Sequence, residues 1–329
     1  MYSIDPLPVE QAHLLTALLS SYRYKPYQAY AREYGQNAVQ EFFIATVQER
    51  LRAAGTQALL AHDNGQVLGL VVWSTLKLES QCFGFPAARL DYLIAAGDDE
   101  AQRKIKTGLL KEVQKQSASE SVRHLSIRVD AHDEVSIHSL EKQGFILVDG
   151  LITYGRNLRN GAWSSSKTSG FQIRSAAAQD LPGLRKLASS AFSFDRLHAD
   201  PAIPKSAADA IHVAWLENSY SSGTDQVLIA VDEGGLLGYS VFKISHAVTP
   251  YFGEPLGLWV IAATAERARG MGVAKSLCLA MFDWHRDQGV RIVEGGTQLA
   301  NVASARLHES CGFRVASTSL SFSKQIGAT

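Results

Sequence analysis

Apolar residues along the chain form short continuous runs, typical of buried strands, and longer stretches with apolar positions three or four residues apart, typical of helices. In the second half the stretches predict helices that begin at Asp180, near Ala207, after Gly272 and at Val302. We expect a mixed, mostly antiparallel sheet flanked by helices, in the α/β (α+β) class. The predicted strands of this half are residues 171–174, 227–231, 236–244, 256–262, 292–297 and 315–322.

The pattern of the second half repeats that of the first. Residues 57–69 align with residues 226–238 at an offset of 169, and an offset of 168 carries Gly144-Phe145 onto Gly312-Phe313. We therefore interpret the chain as two copies of one domain. The residues of the first segment that recur identically are Gln57, Leu59, Ala61, Asp63, Gly65, Leu68 and Gly69.

A serine- and glycine-rich stretch at residues 159–170 separates the two copies and is typical of a flexible linker. We predict a first domain at residues 1–158 and a second at residues 171–329. A chain of 329 residues is long enough for two domains, each with its own core.

Charge and composition narrow the class of protein. The formal net charge is +0, which gives no general attraction to nucleic acid or to an anionic membrane, so we expect neither as a partner. No apolar run approaches the roughly 20 residues of a membrane helix, and the first residues do not resemble a secretory signal. Three cysteines, Cys82, Cys278 and Cys311, favour free thiols. We expect a cytoplasmic protein.

The turn between the predicted strand 256–262 and the helix that follows it carries arginine and glycine. The first amides of a helix lack intrahelical partners and the helix dipole favours an anion there, so Arg267-x-x-Gly270-x-Gly272 is a candidate pyrophosphate site. Glycine lets the backbone approach a phosphate closely, and Arg267 and Arg269 add charge-assisted hydrogen bonds. The alternative is an arginine and glycine turn without a ligand on a solvated surface.

A polar face on the last predicted helix accompanies this turn. Asn301, Ser304, His308 and Cys311 are three, four and three residues apart, so they share one side of a helix. A polar face that begins directly after a strand is able to face a ligand cleft. The alternative for His308 is a place on a solvent-facing helix surface.

Together, Arg267-x-x-Gly270-x-Gly272, Asn301 and Gly312-Phe313 resemble the GNAT superfamily of acyl-CoA-dependent N-acyltransferases. The resemblance implies two tandem GNAT-like domains, acetyl-CoA as co-substrate and a small-molecule amine as acceptor. It implies that the turn binds the CoA pyrophosphate and that Asn301 touches the pantetheine arm. The cofactor-binding residues it implies are Val260, Ile261, Ala262, Arg267, Ala268, Arg269, Gly270, Met271, Gly272, Val273, Ala274, Asn301 and Ser304.

Within the superfamily the chain is similar to the TDP-fucosamine acetyltransferase family of amino-sugar nucleotide acetyltransferases. This implies an amino-sugar nucleotide as acceptor, and we treat a homodimer as the assembly to be tested. The segments that carry the likeness are residues 82–85, 143–150, 180–192, 214–218, 297–301 and 316–318.

The two copies differ at the ligand-binding positions. In place of the arginine and glycine turn, the first copy has Asp98, Asp99 and Glu100, whose charge repels a pyrophosphate. Asp133 stands at the Asn301 position and Leu140 at the His308 position. We therefore expect the first domain to be degenerate, structural or substrate-shaping, and the second to be catalytic.

Acetyl transfer needs a neutral amine, a polarised carbonyl and a protonated leaving group. By resemblance, His308 stands where the superfamily has a tyrosine that protonates the leaving thiolate. Glu294, on the strand before this helix, is the nearest acidic candidate for the general base, and a chain of water molecules is the alternative. We expect Cys311 to be a buried structural thiol, because direct transfer needs no acyl-enzyme. His198, His212, His246 and His285 lack the sequence spacing of metal ligands, so we predict no metal site.

Two other functions remain compatible with these motifs. One is a tandem acyltransferase that acts on a thiol precursor, as mycothiol synthase does, or on an antibiotic or another small amine. The other is a non-catalytic acyl-CoA-binding module, suggested by His308 in place of tyrosine.

Overall fold

The computed structural model describes residues 2–159, 163 and 170–327, so most of the predicted linker lies outside the described residues. The strands are β1 (Ser3–Pro6), β2 (Thr56–Asp63), β3 (Gln66–Thr75), β4 (Ala87–Ala95), β5 (His124–Asp130), β6 (Ile146–Asn157), β7 (Gln172–Ser175), β8 (Gln226–Asp232), β9 (Gly235–Ser245), β10 (Leu256–Thr264), β11 (Ile292–Gln298) and β12 (Arg314–Gln325). The helices are α1 (Thr16–Ser21), α2 (Ala31–Tyr34), α3 (Gln36–Arg52), α4 (Lys77–Phe83), α5 (Asp99–Ser119), α6 (Glu134–Lys142), α7 (Leu181–Ala188), α8 (Arg196–Ala199), α9 (Lys205–Ser221), α10 (Thr249–Phe252), α11 (Val273–Asp287) and α12 (Val302–Ser310). None of the helices in the described ranges is both long and apolar enough to cross a bilayer.

The chain divides into two compact units whose boundaries differ from the predicted domains. The first unit contains the described residues up to Gly150, a short piece at Asp200–Ala202, and the residues from Thr318 onward. The second contains Leu151–Ala199 and Ile203–Ser317. The division therefore falls inside β6 and β12 and does not coincide with the serine-rich stretch.

In the first unit the strand order is β1-β2-β3-β4-β5-β12. Only β4 and β5 are parallel; the other neighbours run antiparallel. The β2–β3 turn contains Asn64 (φ 48°) and Gly65 (φ 80°), the backbone that a tight hairpin needs. The last strand of this sheet comes from the end of the chain, where Ser319 pairs with Asp130 and Gln325 with His124.

In the second unit the strand order is β6-β11-β10-β9-β8-β7. Again only one pair, β10 and β11, is parallel. The sheet ends on the second part of β6, where Leu151 pairs with Gln298 and Asn157 with Ile292. Each sheet thus includes a strand from the other half of the sequence.

Both sheets carry apolar side chains on two faces, and helices cover them. In the first unit α5 covers one face through Leu109 and Val113, and α3 covers the other through Phe43 and Val47. In the second unit α11 lies on one face, and α7 and α9 lie on the other. The sequence predicts an apolar stripe on α11 at Val273, Leu277, Met281 and Trp284; the first three are buried and Trp284 is half-buried.

The structure confirms the fold class and the repeat. Each unit has a mixed, mostly antiparallel sheet with helices on both faces, and the parallel pair occupies the same place in both. The sequence did not indicate which strands pair with which, because the alternation of a strand does not specify its neighbour.

Candidate active site

The parallel strands of the second unit separate halfway along their length. Pairing between β10 and β11 runs from Leu256 and Ile292 to Trp259 and Gly295, where it ends. Beyond that point β10 remains paired with β9, and β11 remains paired with β6. Backbone groups of β10 after Trp259 are therefore directed into the opening, away from β9, and are available to a ligand.

A β-bulge lies where the strands separate. The register of β10 against β9 shifts between Trp259 and Ile261, so Val260 is the extra residue. Its side chain is 45% exposed, whereas Trp259 is buried. The predicted cofactor-binding residues Val260, Ile261 and Ala262 all follow the point of separation, with their main chain along the opening.

The predicted anion-binding turn joins β10 to α11. Gly270 (φ 80°) and Gly272 (φ 79°) both adopt the left-handed conformation that favours glycine, and in the part of the chain that the structure describes nothing lies within 4 Å of where their Cβ atoms would be. Gly272 is the N-cap of α11, and no side chain of the described residues caps this helix. The first amides of α11 thus face open space at the positive end of the helix dipole.

The Arg267 side chain forms an ion pair within the second unit. Its guanidinium donates to both carboxylate oxygens of Asp232, at 2.8 and 2.9 Å, and to the carbonyl oxygen of Gly235 at 3.1 Å. This hydrogen bonding lowers the pKa of Asp232 and raises that of Arg267. Arg267 therefore holds the turn against the β8–β9 hairpin.

Some of the other residues of the turn are buried beneath it, and others are exposed to a ligand. The side chains of Ala268 and Val273 are each 1% exposed and pack beneath the turn, so only their backbone is able to meet a ligand. Met271 and Arg269 are exposed, and Ala274 is half-buried. Lys275, which the motif did not single out, is exposed in the first turn of α11, where its charge adds to the positive end of the helix.

Asn301 is the N-cap of α12. Its Oδ1 accepts a hydrogen bond from the backbone N–H of Ser304 at 3.1 Å, which leaves the Nδ2 hydrogens outside the cap. Because α12 follows β11 directly, Asn301 lies at the end of the strand that separates from β10. Leu299 and Val302 beside it are large, exposed apolar residues.

His308 is buried rather than solvent-facing. Its ring is 3% exposed and stacks on Tyr154, with centroids 4.8 Å apart, and packs against Trp259 at 4.9 Å. Nδ1 lies 2.8 Å from the carbonyl oxygen of Ser304, and because a carbonyl only accepts, Nδ1 carries the proton. Nε2 has no hydrogen-bond partner among the described residues.

The protonation state of His308 bears on its predicted role as a proton donor. Burial lowers its pKa below the ordinary value of 6.5, so the neutral ring is favoured near neutral pH. In the neutral ring with its proton on Nδ1, Nε2 is a lone pair that accepts a proton. In this state the free nitrogen of His308, Nε2, carries a lone pair and not the proton that the resemblance implied it donates.

Glu294 and His308 lie on opposite faces of the sheet. A Cβ at Gly295 would lie 3.2 Å from Nε2 of His308, so that face of β11 is directed toward α12. Side chains alternate along a strand, and the half-buried side chain of Glu294 therefore points to the other face. The structure does not bring the two predicted catalytic residues together.

Cys311 is a buried thiol, as predicted. It is 3% exposed, and the hydrogen bond from the Cys278 thiol lowers its pKa to about 7. Both cysteines lie in the apolar cluster between α11, α12 and the sheet.

The same place in the first unit is closed by its own side chains. Asp98 caps α5, with Oδ1 accepting from the backbone N–H of Ala101 at 2.9 Å. Lys106 and Asp133 form a buried ion pair, with side chains 1% and 2% exposed and Nζ 3.2 Å from Oδ1. Lys106 Nζ also lies 2.8 Å from Ser136 Oγ. Asp133 stands at the Asn301 position, so a lysine occupies the space beside that N-cap.

A charged residue also occupies the bulge of the first unit. Its extra residue is Asp91, at the position of Val260. The carboxylate accepts from Ser74 Oγ at 2.7 Å and from two nitrogens of Arg89 at 2.8 and 3.0 Å. The second unit is open at the N-terminus of α11, beside Asn301 and at the bulge. In the first unit these places are taken by a capped helix, an ion pair and a neutralised carboxylate, respectively.

Known proteins share this fold and part of this sequence. Residues 183–313 match the model of the acetyltransferase (GNAT) family. The chain is 24% identical over 193 residues to dTDP-fucosamine acetyltransferase from Escherichia coli O6:H1, a match that covers 58% of this chain and 77% of that protein.

Two solved structures match along almost the whole length. One is a GCN5-related N-acetyltransferase from Sphaerobacter thermophilus, with a TM-score of 0.68, 15% identity, and coverage of 99% of this chain and 96% of that one. The other is a tandem GNAT protein from the clavulanic acid biosynthesis pathway, with a TM-score of 0.60, 14% identity and complete coverage of both chains. At these identities they show the fold. The chain thus shares the fold of a tandem GNAT protein, and residues 183–313 match the acetyltransferase (GNAT) family.

Proposed function

We propose that the second unit is an acetyl-CoA-dependent N-acetyltransferase for a small-molecule amine, and that the first unit has no acyl-CoA site. The observation that carries this proposal is the opening between β10 and β11, with the uncapped N-terminus of α11 at one side. In the first unit the corresponding strands also separate, after Leu90 and Ile127, but Asp98 caps the helix. The first unit then serves a structural or substrate-shaping role.

The residues of the second unit fit the CoA group. The α11 amides and the glycine turn would hold its diphosphate, and exposed Arg269 and Lys275 would add positive charge. Backbone groups of β10 beyond Trp259 would hold the pantetheine arm and the thioester carbonyl, and Asn301 would contact the arm from β11. Acetyl-CoA would supply an activated acyl carbon that the amine attacks; the C–S bond breaks, and CoA leaves as a thiolate that takes up the proton the amine has lost.

Neutral His308 would accept at Nε2 the proton that the acceptor amine must lose. This role uses the one buried nitrogen of the ring that no described residue occupies. Tyr154 and Trp259 fix the plane of the ring, and Ser304 fixes its tautomer. Glu294 lies on the face of the sheet opposite His308. It would therefore act only on a substrate group that passes through the opening between β10 and β11.

Replacing His308 with phenylalanine is expected to lower kcat about 100-fold or more, since general acid–base catalysis typically contributes at least that factor. The phenyl ring keeps the stack between Tyr154 and Trp259, so KM for acetyl-CoA should stay within about threefold of the native value. Steady-state kinetics with thiol detection measures both constants. Unchanged kcat would remove His308 from the chemistry.

The pH dependence of activity distinguishes a proton-accepting His308 from a proton-donating one. The neutral ring is the active form and burial lowers its pKa. Activity should therefore be maximal above pH 6.5 and should fall as pH drops through a pKa below 6.5. The residual activity of His308→Phe should lack this acid limb. An alkaline limb without an acid limb would support the donor role instead.

The Arg267–Asp232 pair offers a test of how the turn is held. We expect Arg267→Gln and Asp232→Asn to raise KM for acetyl-CoA equally and by less than about fivefold, because both remove one exposed pair. If the guanidinium instead bound phosphate, Arg267→Gln would weaken binding strongly and Asp232→Asn would not. Comparing the two constants under identical salt decides between these roles.

The acceptor class is proposed from similarity. The relative from Escherichia coli is a dTDP-fucosamine acetyltransferase, which favours an amino-sugar nucleotide. The test is a panel of TDP- and UDP-linked amino sugars with acetyl-CoA, compared with thiol-precursor amines and aminoglycosides. Turnover restricted to the nucleotide sugars supports the proposal, and turnover only on the others selects a different acceptor.

The same panel separates an enzyme from a binding module. A ligand that binds only the folded state raises thermal stability by mass action. Stabilisation by CoA without turnover of any amine would assign a non-catalytic acyl-CoA-binding protein. No stabilisation and no turnover would remove the cofactor proposal itself.

A further inference from the structure

We infer that the second unit contains a site for a zinc-class divalent cation at Asp195, His198 and His212. Sequence spacing gave no sign of this site, because α8 and α9 carry the two histidines and a loop separates them. The fold brings one ligand atom from each residue within 4.8 Å of the other two. This inference does not depend on the proposed acetyltransferase activity.

The orientation of His212 is the first argument. Its Nδ1 lies 2.9 Å from the carbonyl oxygen of Ala208, and because a carbonyl only accepts, the ring proton is on Nδ1. In the neutral ring Nε2 is then a lone pair, and it lies 3.5 Å from Oδ2 of Asp195. Two electron-rich atoms that face each other in a buried position call for a cation between them.

His198 lies between two carboxylates. Its Nε2 lies 2.9 Å from Oδ1 of Asp209, and its Nδ1 lies 2.6 Å from Oδ2 of Asp195. A metal-binding histidine usually donates its outer N–H to a carboxylate or a carbonyl, which orients the lone pair of the other nitrogen. Asp209 provides that carboxylate for His198, as Ala208 provides the carbonyl for His212.

Asp195 and Asp209 are themselves held in place. Oδ1 of Asp195 accepts from the backbone N–H groups of Leu197 and His198, which leaves Oδ2 directed toward the two rings. Lys205 donates to Oδ2 of Asp209 at 2.6 Å. The outward-facing carboxylate oxygens therefore have hydrogen-bond donors. One ligand atom each of Asp195, His198 and His212 lies toward the centre of the cluster.

Burial and ligand type indicate the metal. His212 is 2% exposed, and the side chains of His198 and Asp195 are 6% and 12% exposed. Phe192 stacks on His212 with centroids 4.3 Å apart, and Trp215 packs edge-on at 5.2 Å. Two imidazoles and one carboxylate suit Zn²⁺ and its neighbours Co²⁺ and Ni²⁺ rather than Mg²⁺ or Ca²⁺. A fourth position remains for water or another ligand.

The test is Zn²⁺ binding to the full chain after treatment with EDTA, measured by titration calorimetry, with Co²⁺ absorption as a coordination-specific signal. We expect a stoichiometry of about one per chain. His198→Gln and His212→Gln should each weaken binding at least about 100-fold, and Asp209→Asn about 10- to 100-fold. His246→Gln, which changes an exposed histidine of the same unit, should bind as the native chain does.

Asp209→Asn keeps the test decisive if a buried histidine variant fails to fold, since Asp209 is not a predicted ligand and its side chain is 20% exposed. Absence of a Co²⁺ coordination spectrum from the native chain would overturn the site. Equal Zn²⁺ affinity in the native chain and in all three variants would also overturn it, as binding at scattered surface groups only. Loss of binding in His246→Gln alone would place the metal elsewhere.

Discussion

Replacing Gly272 with aspartate is expected to raise KM for acetyl-CoA about 100-fold or more, because a carboxylate at this N-cap competes for the α11 amides and repels phosphate. A hydrogen bond to a charged group contributes about 1.5–3 kcal/mol, so the loss of one or two accounts for this factor. The substitution gives the second unit the kind of cap that Asp98 provides in the first. Steady-state kinetics at saturating acceptor measures KM and kcat.

Two control variants separate charge from backbone strain. Gly272→Ala introduces a side chain at the same positive φ without charge, and we expect a much smaller rise in KM. Gly289→Asp places a carboxylate at a glycine with φ 76° at the other end of α11, where no atom lies within 4 Å of its Cβ position. Its KM should stay native. If Gly272→Asp and Gly272→Ala behaved alike, α11 would not be the anion site.

Replacing Lys106 with methionine is expected to destabilise the first unit by about 3–5 kcal/mol, the usual cost of leaving one partner of a buried ion pair uncompensated. Asp133 would keep its bonds from the Ser136 backbone N–H and hydroxyl group but lose its counter-charge. Hydrogen exchange of the α5 peptides and urea unfolding measure the loss. Exchange in α11 should be unaffected.

The double variant Lys106→Met, Asp133→Asn tests the electrostatic origin of that loss. An asparagine at 133 can still cap α6, as Asn301 caps α12, without a buried charge. We expect it to recover most of the stability that the single variant loses. Lys115→Met removes an exposed lysine from the same helix and should leave unfolding unchanged. Equal losses in the single and double variants would indicate a packing defect instead.

The sequence predicted the secondary structure of both units well, because strand and helix periodicities are local properties. The strand of residues 256–262 and the stripe of α11 appear as expected. The difference between the two copies was also visible, since acids replace glycines at one aligned position. Pairing partners were not predictable, and the exchange of β6 and β12 between units appeared only in three dimensions.

Side-chain environments of the site were less predictable. Asn301, Ser304 and His308 do share a face of α12, yet that face is directed into the core at His308. A polar residue in a helical stripe looks the same in sequence whether water or aromatic rings surround it. Likewise, nothing local showed that Lys106 would be buried against Asp133, because the two are on different helices.

The exchanged strands have a consequence for the order of events during synthesis. The first unit needs residues 319–325 to cover the edge of β5, so its sheet stays incomplete until those residues have emerged from the ribosome. The second unit has all six of its strands once Gln298 has emerged, because β6 was made earlier. The sheet of the second unit can therefore form before that of the first. This reverses the usual order, in which the N-terminal domain folds first during synthesis. Until then β5 presents an open strand edge, which is where a stalled or truncated chain would aggregate.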